Sequence, residues 1–321
     1  MSKRILITPR SFRQMTGTHQ DLLRQAGYEL VNSPYSRPAT ATELAELVAD
    51  KVAIILGLDE CSAEVIQQAT QLKVISRFGV GVDQVDLVAA TRAGVVVTNT
   101  PGANALAVAE HAFMLMMAIA RQLPQQDRLV RQGEYTPVSG TELYGSALGI
   151  VGMGRIGREL ATRANSFGMR VYYYDPFVPS DRVTDATALP FLTLLEICDF
   201  VSLHSPLTPE THAMMNSQTL SLMKRGAYLI NTARGELIDE SALYEALRRG
   251  HLAGAACDVF THEPPTDSPL LTLPNFIATP HSASATRQTT LRMGIMASQN
   301  ALTVLLGQQP LDVVNPDVYI R

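Results

Sequence analysis

Cysteine is scarce in this 321-residue chain: Cys61, Cys198 and Cys257 are far apart, odd in number and never part of a CxxC. That argues against a disulfide framework and against the usual zinc spacing, and it fits a reducing compartment. A surplus of one charge is also missing. With 26 basic and 30 acidic residues the formal net charge is −4, so nothing points to nucleic acid and no charge block points to a tail. Long apolar runs are absent too. The longest, Ala112 to Ala120, is about half of a membrane span. The N-terminal Ile5–Ile7 stretch reads as a first strand, too short for a secretory signal. No repeat or low-complexity segment interrupts the chain. The expectation is a cytoplasmic α/β protein without metal, membrane or nucleic-acid partner, long enough for two domains with ample cores.

What is present is organised around Ala147–Asp175, ALGIVGMGRIGRELATRANSFGMRVYYYD. The apolar run Ala147–Val151 predicts a strand that ends at Gly152. Glycines follow at 154 and 157, a helical pattern runs from about Arg155 to Gly168, and a second strand, Val171–Tyr174, delivers Asp175. This is the layout of a dinucleotide-binding unit. Gly152 allows the tight turn, Gly154 lets the main chain approach a pyrophosphate, and Gly157 lets the helix lie close to the sheet. The first amides and the dipole of that helix favour phosphate charge. A carboxylate at Asp175 would accept bonds from ribose hydroxyls and repel a 2′-phosphate, which favours NAD over NADP. Three glycines at this spacing arise by chance in about one chain in ten of this length, so the flanking strands, helix and acid carry the specificity.

The rest of the chain alternates in the same way. Strands are predicted at Arg4–Thr8, Tyr28–Asn32, Val52–Gly57, Val74–Arg77 and Val95–Thr98, with helices near Thr18–Ala26, Thr40–Ala49, Ala63–Ala69 and Gln84–Ala93. Gly27 and Gly94 stand just past helix ends, and Thr40 with Glu43 makes a capping box. Strands separated by single helices predict a parallel sheet covered on both faces. The loop Ser76–Asp83 reads as a tight turn into a helix capped by Asp83, and Asn99–Gly102 as a crossing between domains. The helix from Ala105 to about Arg121 is apolar nearly all round, with Glu110 and His111 its only ionisable groups before Arg121. Such a helix is expected between domains or across a dimer interface.

After the nucleotide unit, strands are predicted at Phe200–Leu203, Ala227–Asn231, Ala253–Val259 and Phe276–Ala278, with helices near Leu192–Cys198, Ser217–Lys224 and Glu240–Arg249. This half then has six strands. A last long helix spans about Arg287–Leu306. His204, Arg234, Asp258 and His281 fall just beyond strand ends, the rim where open parallel sheets bind ligands.

Three residues there could carry chemistry: Arg234 in NTARGELID, Glu263 in FTHEPP and His281 in TPHSASAT. Singly, each reads as an ordinary loop residue. Together they suit hydride exchange between a nicotinamide and a 2-hydroxy or 2-keto acid. A guanidinium can hold the carboxylate, an imidazole can move the hydroxyl proton, and a neighbouring carboxylate can orient the imidazole and favour its charged form.

The glycine motif with Asp175, HSPLTPET (His204–Thr211), LINTARGELIDE (Leu229–Glu240), GAACDVFTHEPP (Gly254–Pro265) and TPHSASAT (Thr279–Thr286) resemble the D-2-hydroxyacid dehydrogenase family. SRFGVGVDQVDLVAATRAGVVVTNTPG (Ser76–Gly102) extends the likeness, and GTELYG (Gly140–Gly145) is similar to its phosphoglycerate-oxidising branch. The resemblance implies a Rossmann NAD-binding domain over 100–286. It also implies a discontinuous, flavodoxin-like substrate domain made of 1–99 and 287–321, and a homodimer formed through the apolar helix. It implies Arg234 for the substrate carboxylate, His281 as acid/base with Glu263 as its partner, and the backbone of Gly79 and Val80 for carboxylate binding. For NAD it implies the amides of Arg155 and Ile156 at the pyrophosphate, Asp258 at the nicotinamide carboxamide, and His204, Pro206 and Thr211 along the adenosine. Thr232, Ala233, His281 and Ala283 complete the cofactor set. Ala283 stands where the family usually has glycine. Gly57-Leu58-Asp59-Glu60 has two acids and no base where phosphate-binding members usually carry arginine. That loop leaves a hydroxypyruvate or glyoxylate reductase as the alternative. An NAD-responsive corepressor of the same fold is a further, weaker one.

Overall fold

The computed structural model describes residues 3–320. Its chain forms two compact units, Met1–Asn104 with Ala285–Arg321, and Ala105–Ser284. In the first, β1 (Arg4–Ile7), α1 (Arg10–Gln14), α2 (Thr18–Gln25), β2 (Glu29–Asn32), α3 (Ala41–Val48), β3 (Ala53–Leu56), α4 (Ala63–Gln68), β4 (Val74–Arg77), α5 (Leu87–Ala93) and β5 (Val96–Thr98) follow in order. The five strands are parallel in the order β2-β1-β3-β4-β5, the doubly wound order that places the switch point between β1 and β3.

Short β-branched runs such as AIIL and VISR are buried on both faces, which is why they read as continuous apolar stretches. The Thr40–Glu43 capping box forms as the spacing predicts, which contributes about 1 kcal/mol to the start of α3. Gly27 and Gly94 adopt the left-handed conformation past their helices. The α5 cap differs from expectation. The helix begins at Leu87 and is capped by Asp86, which accepts Ala89 N. Residues 84–86 are drawn into extended pairing with Cys61, whose amide donates to Gln84 O (2.8 Å) and whose carbonyl accepts Asp86 N (3.0 Å), so Asp83 stands in the turn before it.

The second unit contains α6 (Ala105–Ala120), α7 (Leu123–Arg131), β6 (Ala147–Val151), α8 (Arg155–Ser166), β7 (Arg170–Tyr174), β8 (Thr187–Ala188), α9 (Phe191–Ile197), β9 (Phe200–Leu203), α10 (Ser217–Leu222), β10 (Tyr228–Asn231), α11 (Glu240–Arg248), β11 (Gly254–Cys257) and β12 (Phe276–Ala278). Its sheet is seven-stranded, in the order β12-β11-β10-β9-β6-β7-β8. All its pairings are parallel. The strand absent from the expectation is β8, two exposed residues at the sheet edge with no apolar run to mark it.

Strand alternation divides the core. Leu148 and Ile150 pack with α6 and α8 on one face, and Ala147 and Val151 pack with α9 and α11 on the other. The apolar helix α6 covers the sheet of its own unit through Ala112, Met116 and Ile119, while Met114 (47% exposed) and Met117 (40%) face outward. Among the described residues no single helix is long and apolar enough to cross a membrane. From the second unit the chain re-enters the first as α12 (Arg287–Leu305), whose Met293, Ala297 and Ala301 pack with Ile5, Ile55 and Val96.

Candidate active site

The nucleotide turn is made of main chain. β6 pairs with β7 in register Val151↔Tyr174 and with β9 in register Val151↔Leu203, so Gly152, Asp175 and His204 leave the sheet side by side. Gly152 has φ 99°, and a Cβ there would lie 2.7 Å from the carbonyl of His204. A Cβ on Gly157 would lie 2.3 Å from Gly152 O, so α8 approaches the turn as closely as a glycine allows. Gly154 is the opposite case: nothing lies within 4 Å of its Cβ position. The amides of Arg155, Ile156 and Gly157 precede the first intrahelical bond, from Arg158 N to Gly154 O (3.1 Å), at the positive end of the helix. Asp175 closes the turn by accepting Met153 N (2.8 Å) and Phe177 N (2.9 Å).

The neighbouring strand ends hold buried polar atoms that the protein leaves unmatched. His204 Nε2 meets Ser202 Oγ at 2.8 Å, while its Nδ1 is buried without a hydrogen-bond partner. Burial pushes its imidazole down from 6.5 to about 4, so it is neutral at ordinary pH. Thr232, at the end of β10, is buried and its hydroxyl also lacks a partner. Buried groups of this kind are normally bonded. Beside the open face of Gly154 they fit a ligand with many hydrogen-bonding groups, as a dinucleotide has. Thr211 Oγ1 donates to Pro206 O (2.7 Å) and accepts Thr208 N (2.8 Å), fixing the loop after His204.

The other end of the rim is made of side chains. β10, β11 and β12 run in register Asn231↔Cys257↔Ala278, so the segments bearing Arg234, Asp258 and His281 leave adjacent strands at one edge. Asn231 shapes the first of these: its Nδ2 donates to Arg234 O (2.7 Å) and its Oδ1 accepts Ala233 N (3.0 Å). Arg234 Nη1 donates to Ala233 O (2.7 Å). The next residue, Gly235, presses against the second segment, where a Cβ would lie 2.0 Å from the carbonyl carbon of Phe260. Phe260 N donates to Glu263 Oε1 (3.1 Å), and Glu263 Oε2 stands 2.8 Å from His281 Nδ1.

The structure therefore gathers the Arg234, Glu263 and His281 segments in one patch. The imidazole and carboxylate are 30% and 31% exposed, open to a ligand. A carboxylate against Nδ1 keeps the proton there and leaves Nε2 to exchange one with a substrate. His281 itself has φ 50°, a left-handed conformation costing a non-glycine residue about 1 kcal/mol.

Asp258 is fully buried, and its carboxylate accepts Ser282 N (2.9 Å) and Ala283 N (2.8 Å) from the His281 loop. Burial works to raise its pKa, but the donors of His111, Thr279, Ser282 and Ala283 outweigh it, so the carboxyl titrates below its ordinary value. A buried charge requires several internal donors, and the loop amides supply them. No sequence pattern connects Thr279 or His111 with it. A lone imidazole on an apolar helix was the one available signal.

In the first unit, Gly79 follows β4, and a Cβ there would lie 2.9 Å from Arg77 Nη1. Its carbonyl accepts Thr100 N (2.9 Å), and Asn99 Nδ2 donates to Val80 O (2.8 Å). Of the two acids after β3, Asp59 is buried, accepting Ala39 N (2.7 Å) and the Thr8 hydroxyl, so its charge is spent inside the unit. Glu60 is the exposed one.

Residues 113–283 match the family model described as D-isomer specific 2-hydroxyacid dehydrogenase, NAD binding domain. A D-3-phosphoglycerate dehydrogenase of Methanocaldococcus jannaschii is 42% identical over 86% of this chain and 54% of its own length. The chain thus spans about half the length of the phosphoglycerate dehydrogenases it matches. A glyoxylate reductase of Korarchaeum cryptofilum is 43% identical over 88% of both chains. Among solved structures, the D-lactate dehydrogenase from Aquifex aeolicus complexed with NAD and lactic acid superposes with a TM-score of 0.85. It is 29% identical over 97% of this chain and 99% of that one.

Proposed function

We propose, because the chain belongs to the D-isomer specific 2-hydroxyacid dehydrogenase family, that it interconverts a small D-2-hydroxy acid and its 2-keto acid with NAD. The observation that carries this reading is the 2.8 Å contact of His281 Nδ1 with Glu263, on the same rim as the Arg234 turn. Bound NAD supplies the hydride chemistry. Gly152, Gly154, Arg155, Ile156 and Gly157 receive the pyrophosphate, and Asp175 the adenine ribose. His204, Pro206 and Thr211 line the adenosine side, and Thr232, Ala233 and Ala283 the rest of the cofactor. Arg234 grips the substrate carboxylate. In the reducing direction His281 gives its Nε2 proton to the keto oxygen, and in the oxidising direction it takes that proton back. Glu263 holds the ring in place through its contact with Nδ1.

The overall likeness favours a phosphoglycerate dehydrogenase-like enzyme. One observation favours a glyoxylate or hydroxypyruvate reductase: the loop after β3 has no basic residue, and Glu60 is the acid it exposes. Following NADH absorbance with glyoxylate, hydroxypyruvate and phosphohydroxypyruvate tests both. Turnover of at least one is expected, the ratio with and without phosphate separates the two, and none at all overturns the proposal. The outward Met114 and Met117 on α6 support a homodimer formed through that helix. Three free, buried thiols suit a reducing cytoplasm.

A further inference from the structure

We propose that His111 is a positioning residue for the His281 imidazole: from α6 it fixes, through Thr279 and Asp258, the loop that carries His281. The inference rests on His281 as the acid/base of the proposed function. His111 is 15% exposed on a helix that otherwise meets the sheet with alanine, methionine and aliphatic side chains. An imidazole buried to this extent is unfavourable unless it is bonded, so mere coverage of the sheet does not account for it.

Its Nε2 stands 3.0 Å from Thr279 Oγ1 and 3.4 Å from Asp258 Oδ1. A threonine hydroxyl has one proton. Here that proton goes to Asp258 Oδ1, which lies 2.5 Å from Thr279 Oγ1. Nε2 must then be the protonated ring nitrogen, donating to Thr279 Oγ1, and the bonds run one way from His111 through Thr279 to Asp258. Asp258 in turn grips the loop on both sides of His281. Its carbonyl accepts His281 N (2.8 Å), and its carboxylate accepts the amides of Ser282 and Ala283. These bonds hold His281 at φ 50°, a backbone state it would leave if released, taking the ring away from Glu263.

The test compares His111→Ala with His111→Gln, whose amide N–H reaches about the place of Nε2. Hydrogen exchange of the 279–284 segment is read in the protein alone, and kcat and NADH affinity are read separately. In His111→Ala the amides of that segment are expected to exchange about tenfold faster and kcat to fall about tenfold, with NADH affinity within about twofold. His111→Gln should recover most of both losses. Thr279→Val, which breaks the chain of bonds while leaving α6 intact, should reproduce the alanine result and carries the test if that variant does not fold. Unchanged loop exchange in both His111→Ala and Thr279→Val overturns the inference, as does equal impairment by alanine and glutamine. Faster loop exchange in a protein that reduces no keto acid supports it and counts against the proposed function instead.

Discussion

The two ends of the second unit's rim are built by different means. At β6 and β7 the site is main chain, and what matters is where side chains are missing: Gly152 and Gly157 touch backbone that no Cβ would allow, and Gly154 faces open space. At β10, β11 and β12 the site is side chain, an imidazole, a carboxylate and a guanidinium-bearing turn brought together by buried bonds to Asn231 and Asp258. In the proposed function the first kind of site receives a pyrophosphate and the second selects the reaction. Changes at the first should act on cofactor affinity, and changes at the second on turnover.

The sharpest separation is expected from His281→Ala. It should lower kcat about a thousandfold while NADH binding, followed by fluorescence titration, stays within about twofold. Next in size is Gly157→Val, which forces a side chain against Gly152 O and should destabilise the protein by about 3 kcal/mol, measured by urea unfolding, and weaken NADH binding. If it left NADH affinity intact, the main-chain account of that end would be wrong. Asp175→Ala should move the NAD-to-NADP preference about tenfold toward NADP by removing the charge that opposes a 2′-phosphate, with kcat little changed.

The effect expected to leave turnover least changed concerns His204. Its folded value near 4 lies below the ordinary 6.5, so as pH falls the unfolded chain takes up a proton before the folded one does. The resulting stability is complete above pH 6.5 and is lost progressively from there toward pH 4. His204→Asn should remove that part of the slope in thermal unfolding while leaving kcat near its starting value.

The same contrast explains what could be read before any coordinates. The nucleotide turn lies within consecutive residues, and each glycine has a local steric reason, so its pattern was legible. The His281–Glu263 pair joins positions eighteen apart through a loop whose path no periodicity encodes. It was found through likeness and a chemical argument. The bonding of Asp59 was not legible because a charge says nothing by itself about whether it faces outward or is consumed by neighbouring amides. α7 was missed because it has no buried residue for a helical period to mark; a proline in its first turn and the Asp127–Arg131 pair (2.8 Å) support it instead. Asp86 displaced Asp83 as a cap because Cys61 pairs with the residues between them, a contact between segments far apart in the chain.

The central claim is that His281 and Glu263 work as one unit. Measuring kcat for His281→Ala, Glu263→Gln and the double variant tests it most directly. The second substitution should cost nothing further once the imidazole is gone, leaving the double variant within about twofold of His281→Ala. Losses that multiply, as for two independent groups, would contradict it.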